Sequence, residues 1–318
     1  PREVYLLDPK ILSPETIAVT FAKTSRSPES FREIAQELTD EKSADFNEKW
    51  VVGYGHSSVA EHAVLHFAVE NLSRLAVETL ESARLASYTE KSTRYQKWTN
   101  QEFHFPQELS GHPLAELYNE TITALFDHYL ASLPKVHEVV AQENPRRENE
   151  TEASWERRIR SKYVDVCRFY LPAAALANVG VTVNARELEH MITKMLSHPL
   201  AEVQSLGQEL KAVGQANVPT LVKYADQNPY FQSVFSRFNS NSNTEEKPDD
   251  WCRLVSFDPL AEEKILAAVL YRSGQKSFAT YLDHVTNLPV EEKKQLARQL
   301  MDGIDKFTAP VRELEYGT

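Results

Sequence analysis

Two stretches of the 318-residue chain concentrate side chains able to hold an anion. The first opens with Gly55-His56-Ser57-Ser58-Val59-Ala60-Glu61-His62 and runs on through Phe67 to Arg74. It resumes as Arg84-Leu85-Ala86-Ser87-Tyr88-Thr89-Glu90-Lys91-Ser92-Thr93-Arg94-Tyr95. A turn-forming Gly-His-Ser sets backbone donors and an imidazole at a strand edge, and two arginines with several hydroxyls follow in a loop. Such a set suits a phosphate or pyrophosphate held by charge-assisted hydrogen bonds. The second stretch is Thr182-Val183-Asn184-Ala185-Arg186, with His190 and Lys194 at four-residue steps from Arg186. On a helix those three share one face. Each cluster has a plainer alternative, because an Arg or Ser in a polar loop usually meets only water. Arg186, His190 and Lys194 would equally make the exposed side of a helix.

Other chemistries are poorly supplied. His62 and His66 are four apart, but their surroundings read as strand and no third ligand has suitable spacing, so no metal site is expected. There is no Gly-rich phosphate loop. Cys167 sits beside Arg168 in a helical stretch and reads as core, not as a nucleophile.

The elements that must position these residues follow from periodicity. Val4-Tyr5-Leu6-Leu7 reads as a short strand closed by Asp8-Pro9, and Ser13-Pro14-Glu15 as a helix start. Ser27-Pro28-Glu29 repeats that device ahead of Phe31, Ile34 and Leu38. Leu65, Phe67 and Val69 alternate with polar or small residues as in a half-buried strand, and a helix is expected from Ser73. Tyr88 to Trp98 reads as ordered loop, residues 113–142, 152–176 and 185–214 as helices, and 144–150 as a charged loop. Asn239 to Asp250 is polar without an apolar anchor. The division expected is a domain over residues 1–235, a linker over 236–250 and a helical segment over 251–318. Leu254 to Pro259 and the acidic helix start after it echo Tyr5 to Glu15, so the last segment reads as the possible opening of a second, divergent copy.

Composition narrows the classes. With 35 Lys and Arg against 46 Asp and Glu, the formal net charge is −11, the wrong sign for a general nucleic-acid binder. Two cysteines cannot build a disulfide framework, no apolar run approaches the roughly 20 residues of a membrane helix, and no secretory leader is read. A soluble, cytoplasmic protein is expected.

The order Gly-His-x-Ser-Val-x-Glu-His, Phe-Ala-Val-Glu-x-x-Ser-Arg and Arg-x-x-Ser-Tyr-Thr-x-x-Ser-x-Arg-Tyr resembles the flavin-dependent thymidylate synthases, the ThyX type. The resemblance continues in Arg168-Phe169-Tyr170-Leu171-Pro172, Thr182 to Arg186, Ser197-His198 and Glu202-Val203-Gln204, and spans residues 3–225. It implies an α/β (α+β) fold with a central, mostly antiparallel sheet flanked by long helices, here with a helical C-terminal extension. It also implies homotetramers with composite active sites, or a dimer if the chain is internally duplicated. The implied reaction methylates dUMP to dTMP, with hydride from FAD, the one-carbon unit from methylenetetrahydrofolate, and NADPH as a further co-substrate.

Matched position by position, His56, Ser58, Arg84, Glu90, Asn184, Arg186 and His190 fall at flavin-contacting places. Thr79, Ser82, Ser92, Thr93, Arg94, Arg168 and Lys194 fall at substrate-binding places. Ser92, Arg94 and Lys194 are the catalytic candidates; Lys194, or Met195 without a gap, stands where the family has an arginine that polarises the uracil. The family's Arg-His-Arg triplet reads Ser82-Ala83-Arg84 here, the glutamine before it is Thr79, and its Ala-Gln-Trp-Glu is Pro199-Leu200-Ala201-Glu202. The leading expectation is a thymidylate synthase. The alternatives are a paralogue without that activity, serving as a nucleotide-binding or partner module, and an enzyme for another uridine nucleotide.

Overall fold

The computed structural model describes residues 2–25, 27–98, 102–238 and 252–315. The chain divides into two compact units, Pro1–Asn241 and Ser242–Thr318.

In the first unit, Ser13 caps α1 (Pro14–Thr24), its hydroxyl accepting the Thr16 N–H at 3.3 Å. α2 (Phe31–Glu37) starts later than Ser27-Pro28 suggests. Ser30 is its cap, in a reciprocal capping box with Glu33 that satisfies two otherwise orphaned donors. α3 (Asp40–Phe46) runs into a π-helical turn, Asn47–Gly53. Val4 to Leu7 is no strand: Val4 and Leu6 are more than four-fifths exposed and no described edge pairs with them.

β1 (Val64–Ser73) is followed by α4 (Arg74–Glu81), as the change of period predicted, and then by β2 (Ala86–Glu90). The loop expected over Tyr88 to Trp98 therefore begins only at Lys91. Next come α5 (Ala115–Glu143) and α6 (Glu152–Cys167). The helix expected over 152–176 stops at Cys167, because Leu171 precedes Pro172 and is extended, as residues before proline usually are. β3 (Leu176–Asn184) follows, then α7 (Ala185–Leu196) and α8 (Ala201–Gln215). The single helix expected over 185–214 is thus two, broken at Ser197-His198-Pro199, where His198 Nδ1 accepts the Leu200 N–H at 3.2 Å. α9 (Pro229–Phe238) takes in residues 236–238, assigned to a linker above; residues 239–250 lie outside the described residues.

The sheet order is β1-β3-β2, antiparallel throughout, with Val181 facing Phe67 on one side and Tyr88 on the other. Its inner face (Leu65, Phe67, Val179, Val181, Val183) packs against Leu188, Ile192 and Met195 of α7, Leu206 of α8, and Val77 and Leu80 of α4. A second core between α5 and α6 holds Trp98, Phe126, Tyr129, Ile159, Tyr163 and the buried thiol of Cys167. Trp98 joins it to the sheet by donating to the Leu176 carbonyl at 2.6 Å.

The second unit is helical: α10 (Ala261–Ser273), α11 (Phe278–Asn287) and α12 (Val290–Met301) pack around Leu266, Ala267 and Val285. Leu254, Val255 and Phe257, the echo of the opening run, are exposed and in no strand. Among the described residues no helix is long and apolar enough to cross a membrane.

Two close contacts hold α8 to α7 and α1 to the turn after α8. A Cβ added at Gly207 of α8 would lie 2.9 Å from the Met195 Cβ and 3.2 Å from the Leu196 backbone nitrogen. Buried Glu15 of α1 accepts the N–H groups of Thr220 and Leu221 at 2.8 and 3.2 Å, and burial raises its pKa above the ordinary 4.5. Gly207→Ala is therefore expected to destabilise the unit by about 1–3 kcal/mol through overpacking, read as a lower denaturant midpoint. Glu15→Ala, which strands two buried donors, should cost about 2–4 kcal/mol, whereas Glu15→Gln keeps an acceptor and should cost less. The folded state holds the Glu15 proton to higher pH than the unfolded state does. The stability of the native protein relative to Glu15→Gln should therefore fall as pH rises through the window above 4.5, then level off.

Candidate functional site

At the C-terminal end of β2 lies a cleft of about 460 Å³, lined by Arg74, Glu78, Thr93, Trp98, Arg168 and Phe169 among others. Two of the proposed substrate residues, Thr93 and Arg168, line it, and Arg94 and Ser92 are tied to them through Asp165 and the Arg94 N–H. Arg168 Nη1 donates to Thr93 Oγ1 at 3.2 Å, and Ser92 Oγ accepts the Arg94 N–H at 3.2 Å, which closes the turn. Asp165 was not foreseen, although its place three residues before Arg168 on the helix was a usable signal. Its Oδ1 lies 2.9 Å from Arg168 Nε and 3.2 Å from Arg94 Nε. The contact with Arg168 lacks hydrogen-bond alignment, and neither atom of that pair has a hydrogen-bond partner.

Arg74 enters the same cleft from the first turn of α4 and is placed by a chain of contacts. Ser73 caps α4, accepting the Ala76 N–H at 3.1 Å, while its own N–H and hydroxyl donate to Glu202 at 2.8 and 2.6 Å. His104 Nε2 stands 3.6 Å from the same carboxylate. The Arg74 guanidinium pairs with Glu90, a proposed flavin contact, and reaches Glu78 at 3.3 Å. It does not swing toward Ser82, and Lys91 lies instead over the Trp98 ring at 4.6 Å.

His56, Ser58, Asn184 and Arg186 lie toward the opposite end of the sheet, where β1 begins, β3 ends and β2 starts, and α7 carries His190 and Lys194 away from it. His56 and Ser58 line a cleft of about 310 Å³ with Phe21, Phe46, Trp50 and His62. Here Phe21 stacks on His62 with centroids 4.7 Å apart, and Trp50 on Tyr54 at 5.0 Å. Glu61, on the same wall, pairs with Arg186. Asn184 is the cap of α7, its side-chain oxygen accepting the Glu187 N–H at 2.9 Å. His190 is exposed against Phe231, Lys194 is half-buried, and Met195 is core, so of those two only Lys194 has an exposed portion.

The altered triplet sits in the turn from α4 to β2. Ser82 donates its hydroxyl to the Thr79 carbonyl at 2.8 Å, Ala83 is buried, and Arg84 is exposed. Tyr88 holds the turn by donating to the Leu80 and Ala83 carbonyls at 3.1 and 2.9 Å. Burial first, then Glu187 and Glu81, pushes the Tyr88 phenol to about 12, so it stays a donor. Arg84, just ahead of β2, is thus separated by the length of that strand from Thr93 beyond it, whereas Thr79 follows Glu78, which lines the cleft of Thr93 and Arg168. Five strand residues span roughly 17 Å. His62 stacking on Phe21 and His66 bonding Thr182 at 2.8 Å account for that histidine pair.

A family model described as thymidylate synthase complementing protein matches residues 8–220. The chain belongs to that family. It is a divergent member, with Ser82-Ala83 where Arg-His is usual. It is 28% identical over 282 residues to a UPF0159 protein of Chlamydia pneumoniae, covering 80% of this chain and 52% of that protein. A UPF0159 protein of Thermoplasma acidophilum is 28% identical over 302 residues, covering 84% and 60%. The chain thus spans about half the length of these relatives. A flavin-dependent thymidylate synthase of Clostridium tetani is 25% identical over 214 residues, covering 67% and 82%. A solved ThyX from Helicobacter pylori with FAD and dUMP aligns with a TM-score of 0.44 and 18% identity, over 67% of this chain and 96% of that one.

The placement of Arg74 yields a prediction. Ser73→Ala removes both the cap and the hydroxyl bond to Glu202, and should cost about 1–3 kcal/mol of stability by denaturant titration. Replacing Ser73 with Thr, which retains the hydroxyl, should recover most of the loss.

Proposed function

We propose that this chain is a uridine-nucleotide module of flavin-dependent thymidylate synthase type, methylating dUMP to dTMP with FAD and methylenetetrahydrofolate, and with NADPH as reductant. The observation that carries the reading is the meeting of Thr93 and Arg168 in one cleft, with Arg168 bonded to Thr93 and paired through Asp165 with Arg94, whose N–H bonds Ser92. Two guanidinium groups beside two hydroxyls are the donors a nucleotide phosphate requires. Trp98 and Phe169 supply apolar wall beside them.

FAD would supply the hydride when bound. The residues proposed to hold it are His56, Ser58, Arg84, Asn184, Arg186 and His190, with Glu90 beyond them. Their fit is partial. The aromatic cleft around Phe21 and Trp50 suits a planar ring, and His56 and Ser58 offer polar contacts at its rim. Glu90 and Arg186, in contrast, are engaged with Arg74 and Glu61, and Ala83 offers no donor. The protein's own part is to orient the pyrimidine, keep Arg94 and Arg168 on its phosphate, and bring the Lys194 ammonium toward the ring. Since Arg84 lies a strand's length from Thr93, a ligand touching both is more easily held with a second copy of the fold supplying one of them. That favours an oligomer with shared sites, a tetramer of such chains or a dimer of duplicated ones. We assign the reaction to the cytoplasm, where free nucleotides and reduced folates are exchanged. We divide the chain into a catalytic-type domain over residues 1–235 and a C-terminal helical module.

A second reading is favoured by the replaced triplet: a paralogue that binds a nucleotide or a partner without making dTMP. A flavin titration of the purified chain, with and without dUMP, separates the two. The synthase reading expects FAD binding in the micromolar range that tightens when dUMP is present. Binding of dUMP without FAD would support the paralogue as a nucleotide module, and binding of neither would end the synthase reading and leave the partner module.

A further inference from the structure

Beside the cleft that Arg168 lines, Arg168 and Arg94 already share an anion of the chain's own. Asp165 Oδ1 stands within 3.2 Å of the Nε atoms of both arginines, one from the loop after β2 and one from the turn after α6. A carboxylate oxygen between two guanidinium groups occupies the place that a phosphate oxygen would take. The pairing is nonetheless imperfect. Arg168 Nε is 2.9 Å from that oxygen, yet the two atoms form no hydrogen bond and both are without a partner. The attraction is therefore charge to charge, and the Nε–H of Arg168 is not spent on Asp165. The paired Oδ1 and Nε are themselves buried, while about a third of each of these two side chains is exposed. Arg74, which lines the cleft with Arg168, is likewise engaged, by Glu78 and Glu90. Arg74, Arg94 and Arg168 thus each face an internal carboxylate.

We propose that Asp165 is a placeholder for the ligand's phosphate and sets how strongly the cleft takes a phosphorylated nucleotide. An incoming phosphate must displace Asp165 from Arg94 and Arg168, or bind beside it against like-charge repulsion. The affinity for nucleoside monophosphates is held down by that competition, while the affinity for the uncharged nucleoside is not. Asp165 is in this sense a specificity-determining residue, acting on ligand charge. The inference rests on the uridine-nucleotide reading given above, and its test can fail separately from that reading.

The test is calorimetric titration of the full chain and its Asp165→Asn and Asp165→Glu variants with dUMP and with deoxyuridine, in low and in moderate salt. Asp165→Asn should tighten dUMP about ten-fold, the scale of one removed like-charge contact, and leave deoxyuridine unchanged. Its dUMP binding should also become more salt-sensitive, because more phosphate charge is then neutralised by arginine. Asp165→Glu keeps the charge and should bind dUMP no more tightly than the native chain. Weaker dUMP binding in Asp165→Asn, in a variant with native circular dichroism and melting, would overturn the proposal by making Asp165 a holder of the arginines; the nucleotide reading would still stand. An equal gain for deoxyuridine would also overturn it, since charge would not be the cause. If dUMP binds none of the three proteins, the nucleotide reading and the placeholder fall together.

Discussion

The antiparallel pairing of β3 with β1 on one side and β2 on the other is the constraint on which the rest of the first unit depends. Val181 faces Phe67 and Tyr88 at once, and the inner rows of the strands are almost wholly apolar. Side chains alternate along a strand, so a slip of one residue would turn Leu65, Phe67, Val179 and Val183 to water. That penalty locks the register. The locked register in turn delivers Asn184 and Ala86 to one end of the sheet, and Glu90 and the Ser92-Thr93-Arg94 loop to the other. Trp98, bonded to the Leu176 carbonyl, carries the same register into the α5–α6 core, from which Asp165 and Arg168 emerge.

A second theme is internal charge pairing. Arg74, Arg94, Arg168 and Arg186 each face a carboxylate of the same chain: Glu90 with Glu78, Asp165 for two of them, and Glu61. These pairs are partly exposed, where the net energy of an ion pair is small, so they are not what keeps the fold together. Their consequence is for ligands. A free guanidinium offers its full charge to a phosphate, whereas a paired one must exchange partners. The changed turn at Ser82-Ala83 moves in the same direction. Ala83 is packed under Tyr88 and Ser82 is turned back onto Thr79, so the turn serves the α4–β2 connection where the family usually presents two cationic or polar donors.

The family also sets the frame for length. The chain spans about half of its UPF0159 relatives, and the thymidylate synthase of Clostridium tetani matches two thirds of it. The helical second unit lies beyond the residues that the family model matches. Fold alone does not carry an activity, which lies in a site's particular donors and charges. Here Thr93 and Arg168 meet in one cleft, whereas Ser82 and Ala83 stand in the turn before β2.

Much of this protein was legible in the sequence, and for local reasons. Ser13-Pro14-Glu15 marked α1, the two-residue alternation from Leu65 marked β1, and the order of motifs identified the family, because caps, periodicity and motif spacing are properties of neighbouring residues. The errors arose where the outcome depends on distant partners. Val4 to Leu7 has strand composition but no edge to pair with, and β2 is a strand only because β3 lies beside it. The breaks at Leu171-Pro172 and Ser197-His198-Pro199 were written locally but outweighed by apolar periodicity on either side. What only the tertiary structure decided is which charges meet. Asp165 lies 71 residues along the chain from Arg94, and Glu90 is 16 from Arg74. No spacing rule joins such pairs, since they are made by the register of a sheet and the packing of two helices.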